Sequence, residues 1–510
     1  MTPANKVIVN TAILYGRMLL TVGVSLYSTR LILEALGSTD FGIFELVGGI
    51  IAVLGFLNNT MATSTQRFIS FYQGKNDLDG QKSVFANSLV MHIVVGLAIV
   101  IVLATLESFL FEQFLNIAAD RIYAAKIVYR AMLASLLFSM INVPFMGTLI
   151  AHENLLFVAI VNILEALFKL GIALILVMLQ NEKLIVYSFL MAASAFVILL
   201  LYMSFCIKKY DECSIRNIQI DKNQIREISS FAGWNLFGAL CSLGRNQGLV
   251  VLLNLFFGTA INAAYGIANQ LASQMNFFSS TMLRALNPQI MKSEGVNDRE
   301  RMLRLSMIAS KFGFFLVAII AIPAIFEMSQ ILGFWLKEVP RYTAIFAQLI
   351  LIAILLNQMT IGLQSALQAT GKIKLYQTVV GGVILMTLPI AYFFLKLGYP
   401  PYFVFVSYIG LEIIAIILRI GITKKIAQLS VPVYIHRVFV KSIVPLFCSF
   451  FTCWIVTNYF QIEYRFLLTG GISAIIFSLS IYFFGLCVDE KILIHGFLKI
   501  ALKRLKKQKS

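Results

Sequence analysis

Residues 258–290 read GTAINAAYGIANQLASQMNFFSSTMLRALNPQI. A mostly apolar run of about 20 residues crosses a bilayer as a helix, and this stretch is long enough to do so. At 100° per residue, however, Asn262, Asn269, Ser273, Asn276, Ser280, Arg284 and Asn287 fall within about 80° of arc. A polar stripe along a whole span is costly against lipid. It therefore faces protein or water inside a helical bundle.

The rest of the chain supplies that bundle. Of its 510 residues, 59% are apolar and 13% charged, against roughly 45–50% and 25% in ordinary globular chains. Windows of spanning length predict fourteen helices, at 8–33, 41–72, 84–106, 122–151, 155–179, 184–207, 228–257, 260–290, 303–327, 341–370, 374–396, 401–424, 436–459 and 465–487. The class is an all-α integral membrane protein. Lys and Arg set its orientation: with the even-to-odd connections and both termini on one face, that face collects 29 of the 41. The opposite face holds Arg121, Lys126, Arg130, Lys183, Lys337, Arg341, Lys396 and Arg465, and Arg17, Arg30, Lys169 and Arg245 lie within spans. The positive-inside rule makes the majority face, and both termini, cytoplasmic.

A net charge of +17 would raise nucleic acid in a soluble chain. Here the basic tail follows an apolar span and reads as a membrane-surface anchor; no nucleic-acid motif or separate basic domain accompanies it. None of the six cysteines forms a CxxC and none of the four histidines an HExxH, so no metal site or cofactor is expected. No nucleophile–His–acid set or phosphate-cradling loop is found, and no external loop long enough for an extracytoplasmic catalytic domain. The expectation is a protein that is not an enzyme, with no catalytic residues.

The chain repeats itself. Span 2 opens with Gly37-Ser38-Thr39-Asp40-Phe41-Gly42-Ile43, and span 8 with Gly258-Thr259 followed by Tyr265-Gly266-Ile267. The end of span 4, Gly147 to Asn154, is similar to that of span 10, Ala366 to Lys372. A shift of six spans, an even number, gives two parallel six-helix lobes. The expected division is 1–207, a cytoplasmic linker 208–227, 228–424, two further helices in 425–488 and a basic tail 489–510. Internal repeats of this kind mark secondary transporters, with substrate between the halves.

Three more spans carry polar seams: Glu45, Gly49, Ala52, Asn59, Thr63, Gln66, Arg67 and Ser70 on span 2; Asn10, Arg17, Thr21 and Ser28 on span 1; Asn235, Ser242, Arg245 and Asn246 on span 7. Helix-packing glue accounts for single Asn or Ser residues, but not for mid-membrane arginines lacking a local carboxylate. Arg17 and Arg245 are in that position, and each is read either as lining a hydrated, anion-binding cavity, the better account of the four seams together, or as half of a structural cross-helix pair. Arg67 and Arg284 fall near the cytoplasmic mouth, where an arginine either recruits an anion or snorkels to lipid phosphate. Arg30 is off the stripe with Glu34 one turn on, a local ion pair; Glu165 and Lys169 read as another, and Glu412 with Arg419 as structural or undecided. The candidate substrate-binding residues are Arg17, Arg245, Arg67, Arg284, Asn269 and Asn276.

Fourteen spans in two parallel lobes, Ala35-Leu36-Gly37…Phe41-Gly42, and Leu367–Lys372 (LQATGK) together resemble the polysaccharide flippases, the Wzx-type O-antigen and exopolysaccharide transporters of the MATE-like superfamily. The resemblance implies alternating access and a cationic cavity, onto which Arg17 and Arg245 map by helix and depth. It implies export of an undecaprenyl-diphosphate-linked oligosaccharide across a bacterial inner membrane by a monomer in contact with membrane lipids, with polysaccharide polymerase and glycosyltransferase as neighbours. Three alternatives stand: a MATE-type drug exporter, a lipid II flippase and, from another class, a membrane oligosaccharide polymerase or ligase.

Overall fold

The computed structural model describes residues 3–52, 55–115, 117–180, 182–214, 220–336 and 338–491. Residues 492–510 of the basic tail and 215–219 of the linker therefore lie outside the described residues, as do the side chains of Asn10, Ala52 and Asn59. Among the described residues the structure is helical, without strands. Each expected span finds a helical segment.

Helix α1 (residues 3–36) ends at Gly37, whose φ of 76° and ψ of 168° break the helical stretch Pro3–Ala52. Beyond it, α2 comprises 38–52 and Gly55–Gly74. There follow α3 (Leu78–Thr105), α4 (Ile122–Ala151), α5 (Leu155–Met178) and α6 (Lys183–Lys209). Then come α7 (Lys222–Phe257), α8 (Thr259–Gly295) and α9 (Arg299–Phe326). Helix α10 is broken: Thr343–Gln358 and Ile361–Thr370 meet at 43°. The last four are α11 (Lys374–Lys396), α12 (Phe403–Ala427), α13 (Val431–Tyr459) and α14 (Arg465–Gly485). Ten of these are long and apolar enough to cross a membrane, and the bent α10 makes an eleventh. The remaining helices, α1, α2 and α8, include the two whose polar stripes dilute their hydropathy most.

The repeat is written in the backbone. Gly258 has φ 79° and ψ −171°, close to Gly37, and only glycine occupies that region without strain. At the next turn Asn76 and Asn297 both take positive φ, 55° and 58°. Each precedes an aspartate that caps the following helix: Asp77 accepts from Gly80 N at 2.8 Å and Asp298 from Arg301 N at 3.0 Å. Such a cap satisfies one orphan donor of the first turn. The ends of α4 and α10 likewise turn through positive φ, at Glu153 and Gly371.

The chain divides into two compact units, residues 8–236 and 237 onward, with residues 1–7 assigned to the latter. The division falls inside α7, not at the linker. The start of α7 is fastened within the first unit: the Gln224 side-chain oxygen accepts from Ser83 Oγ at 2.5 Å and from Asn87 Nδ2 at 2.7 Å. Farther along, the same helix packs on α11 of the second unit, where a Cβ at Gly238 would strike the Gln377 side chain and one at Gly248 the Leu388 side chain. The second unit also contains α13 and α14. Two ion pairs tie α14 and the residues just after it to α9 and its C-cap. Arg465 forks onto Glu327 at 2.8 and 3.0 Å. Lys311, 1% exposed, reaches Glu490 at 2.5 Å and the Gly485 carbonyl at 3.1 Å. Gly485 is the last residue of a π-helical turn.

Within the second unit, Arg419 and Glu412 form a buried pair at 2.7 Å. Glu412 also accepts from Asn357 at 2.9 Å, and Arg419 donates to Thr360 at 3.0 Å. Both partners sit at the α10 break, where the Met359 carbonyl takes the Tyr434 hydroxyl at 2.6 Å. The break thus leaves neither backbone nor charge stranded in the apolar interior. The pair left undecided from sequence is structural.

Candidate functional site: a cationic pocket in the second unit

Helix α8 places its small residues inward: Ala264, Ala268 and Ala272 join the second unit's core with Phe314 and Phe346. This orients the opposite face. Asn269, Ser273, Asn276, Ser280 and Arg284 are exposed, and Asn262 and Asn287 half-buried. The stripe is not sunk into helix contacts, so packing glue does not explain it.

Part of that stripe meets α7 and α12. Arg245 and Asn246 from α7, Tyr265, Asn269 and Asn276 from α8, and Tyr408 from α12 line an open pocket. Its apolar wall includes Leu249, Ile350 and Phe405. That mixture of apolar wall with a few convergent polar groups suits one polar group of a ligand. Arg245 lies twelve residues before the end of α7 at Phe257, about 18 Å along the helix and deep relative to a hydrocarbon core about 30 Å thick.

Arg245 is 9% exposed. Its guanidinium covers the Tyr408 ring at 4.1 Å from the centroid, and its Nε donates to Asn246 Oδ1 at 3.3 Å. Tyr265 also interacts with it electrostatically. No carboxylate lies within ion-pair distance of it among the described residues. A buried guanidinium cannot shed its charge, so this one is partly compensated by ring and amide dipoles alone.

The other expected site residues fall elsewhere. Arg284 is exposed about two turns beyond Asn276, outside the pocket wall. Arg67 is buried in the first unit, over the rings of Phe68 at 4.4 Å, Phe71 at 4.9 Å and Phe231 at 5.5 Å. Arg17, also in the first unit, is half-buried and electrostatically coupled to Glu165, which Lys169 faces as well. The sequence argument tested only α1 for a partner, and the carboxylate comes from α5. Arg30 and Glu34 are both exposed and form no ion pair among the described residues. Sequence reasoning missed Tyr265 and Tyr408. Tyrosines are common in membrane spans, and the only signal was that Tyr265 adjoins the repeated Gly266-Ile267.

No protein-family model and no curated protein matches the chain. Solved structures do. A MATE transporter in complex with MaL6 superposes with a TM-score of 0.70 at 15% identity, covering 84% of this chain and 96% of that one. The outward-facing conformation of a multidrug resistance MATE family transporter of the MOP superfamily gives 0.71 at 14%, with 84% and 96% covered. This chain has the MATE-transporter fold. A third neighbour, a MOP superfamily transporter from Pyrococcus furiosus, gives 0.69 at 14% over 84% and 96% of the two chains. Its description states that reverse polarity of the binding pocket suggests a different function.

Proposed function

We propose that this MATE-fold protein is an exporter that moves an undecaprenyl-diphosphate-linked oligosaccharide from the cytoplasmic to the outer leaflet of a bacterial inner membrane by alternating access. The observation that carries the reading is Arg245: a buried, permanently charged guanidinium in a polar and aromatic pocket, with no carboxylate to neutralise it among the described residues. A cationic drug would be repelled there, whereas a diphosphate is attracted. Guanidinium suits it because the fork binds oxyanions in two places at once. Sugar hydroxyls and phosphates cannot cross hydrocarbon unshielded, and the exposed amides of Asn269 and Asn276 offer both donors and acceptors to a glycan. An inside-negative potential assists anion export by about 2.3 kcal/mol per charge per 100 mV.

MATE drug exporters have the same fold, so the fold does not choose between cargoes. The sign of the pocket supports the anionic cargo in this reading, and the Pyrococcus furiosus neighbour is described as having a binding pocket of reverse polarity. In this reading Arg17 becomes available to an anion once Glu165 releases it, while polysaccharide polymerase and glycosyltransferases act on either side of the transport step.

The test is reconstitution into liposomes with lipid-linked oligosaccharide placed in one leaflet, alongside a deletion strain. Transfer to the other leaflet is expected, with precursor accumulating on the cytoplasmic side of the deletion strain. Precursor accessible from outside that strain would instead mark a polymerase or ligase. Efflux of cationic drugs without lipid transfer would mark a drug exporter.

A further inference from the structure

The Arg245 side chain is committed on two of its three sides. Its face rests on Tyr408 and its Nε edge on Asn246. A guanidinium has five N–H donors in one plane. With Nε used, the two terminal nitrogens remain, and no acceptor for them is found among the described residues. They form the end-on edge of the fork, the geometry that grips a carboxylate or phosphate through two parallel bonds. An arginine side chain has large rotamer freedom, so presenting that edge in one direction requires something to hold the plane.

Tyr408 is placed to do this. It lies one turn before Glu412 on α12. Glu412 is fixed by Arg419 and by Asn357 of α10, which ties this part of α12 to the helix that contributes Ile350 to the pocket wall. Its neighbour Phe405 packs on Tyr265 at 5.6 Å and on Phe346 at 4.8 Å between centroids. The ring beneath the guanidinium thus stands on a braced helix, while the guanidinium itself has no ion pair among the described residues.

We propose that Arg245 is a preorganised oxyanion clamp and that Tyr408 is its positioning residue, setting the plane in which the terminal nitrogens meet a phosphate or carboxylate. This rests on the exporter reading for its biological ligand but not for its chemistry. Two sources would present the same group: the diphosphate of the lipid carrier and an acidic sugar of the glycan. Tyr408 acts through its ring face, so its hydroxyl is dispensable and its aromaticity is not.

The experiment measures binding of inorganic pyrophosphate and, separately, glucuronate to the full-length purified protein in detergent, by competition with a labelled oxyanion. Tyr408→Phe should bind within about 2-fold of the parent, and Tyr408→Leu should weaken binding about 3- to 30-fold, the range of a partly desolvated cation–π contact. In an Arg245→Ala background Tyr408→Leu should cost nothing further, since the two act as one unit. Tyr408→Met, unbranched and adaptable, carries the same expectation as Tyr408→Leu if that variant fails to fold. Tighter pyrophosphate than glucuronate assigns the clamp to the diphosphate, and the reverse assigns it to an acidic sugar. The proposal is overturned if neither oxyanion binds, if Tyr408→Leu and Tyr408→Met bind as the parent does, or if their loss persists without Arg245. An intact binding cycle in a protein that transfers no lipid-linked oligosaccharide would leave the clamp standing and remove the exporter reading.

Discussion

Arg245 and Arg419 are both buried arginines of the second unit, at 9% and 4% exposure, and they should respond to alanine in opposite ways. Arg419 has a carboxylate at 2.7 Å that is itself 2% exposed, and a hydroxyl at 3.0 Å. Removing it strands Glu412 in the apolar interior, a change that costs about 3–5 kcal/mol. Replacing both partners, as Arg419→Met with Glu412→Leu, removes the stranded charge and should be milder than Arg419→Ala alone. Arg245 strands nothing when it goes. Its loss forfeits a cation–π contact of about 0.5–2 kcal/mol and one long neutral-acceptor hydrogen bond. It also relieves the cost of holding an unpaired guanidinium away from water, several kcal/mol for a poorly compensated ion. Arg245→Ala should therefore be near neutral or stabilising while abolishing transport, the pattern of a residue kept for function at the expense of stability. The assay pairs unfolding in detergent, followed by helical circular dichroism, with lipid transfer at matched protein levels. If Arg245→Ala unfolds as readily as Arg419→Ala and the protein that remains folded transports normally, Arg245 is structural and the reasoning fails.

Gly37→Ala and Gly258→Ala should each cost about 1–3 kcal/mol, because both residues hold a conformation reserved for glycine and neither has any atom within 4 Å of an added Cβ. A marked difference between them in an unfolding titration would show that the two turns are not equivalent. Lys311→Met should destabilise the protein by about 3–5 kcal/mol by leaving Glu490 unpaired, with Lys311→Met plus Glu490→Leu largely restoring it in the same titration. Glu165→Gln should strengthen pyrophosphate binding at Arg17, measured in an Arg245→Ala background where the second-unit clamp is absent; unchanged binding would mean that Glu165 does not mask Arg17. Cysteines introduced at Thr259 and at Ser510 should report orientation: a membrane-impermeant reagent outside intact cells should label the first and miss the second, and the reverse pattern would invert the topology.

Most of the fold was legible because the bilayer makes it so. Each span must satisfy its own backbone and expose mostly apolar side chains, which leaves a long hydropathy signal, and glycine at 37 and 258 marks turns that no other residue makes cheaply. The structural role of Glu412 and Arg419 was half legible: two turns apart, they share a face, but what fixes them is Asn357 and Thr360, whose position depends on a break in α10 that no proline announces. The site was legible only as a stripe. Arg245, Asn269 and Asn276 converge as the helical wheels implied. Arg17 does not stand alone, because ion pairing across helices has no sequence period and the search reached only one turn either way. Tyr408 was invisible for a related reason. Its importance lies in one ring face meeting a side chain from a helix more than 150 residues earlier, and nothing local distinguishes it from other span tyrosines.

The repeat clarifies why the site could not be extrapolated from one half to the other. Gly37 and Gly258, like Asn76 and Asn297, are 221 residues apart, so the offset through these elements is constant. Carried along it, Arg245 corresponds to Val24 and Arg17 to Gly238, while Arg67 corresponds to Pro288 and Arg284 to Thr63. No buried or exposed arginine of the four has a charged counterpart. Glycine turns and aspartate caps recur because both halves must solve the same backbone problem of ending one helix and starting the next. Charges answer to a ligand instead, and a ligand with one anionic group needs a strong clamp once, not twice. The first unit offers an arginine already shared with Glu165, and the second offers one with its fork edge open. Under the proposed reading, that asymmetry makes the second-unit pocket the tighter anion site of the two. Past these elements the offset shortens to 218, between Glu153 and Gly371, which carries Tyr408 to Leu190, one turn after Tyr187 near the start of α6; the ring of Tyr187 is the first unit's nearest candidate counterpart. Its surroundings differ. Tyr187 is 2% exposed and packs on Phe44 at 4.5 Å between centroids, inside the first unit's core with Val47 and Leu184. A ring so enclosed has no face to spare for a guanidinium. Moving the clamp to the repeat-equivalent position, Val24→Arg in an Arg245→Ala background, should therefore not restore pyrophosphate binding, because the new arginine would lack the open ring that sets its plane. Recovery of binding by that exchange would show that the two halves present the same site, and the assignment to the second unit alone would fall.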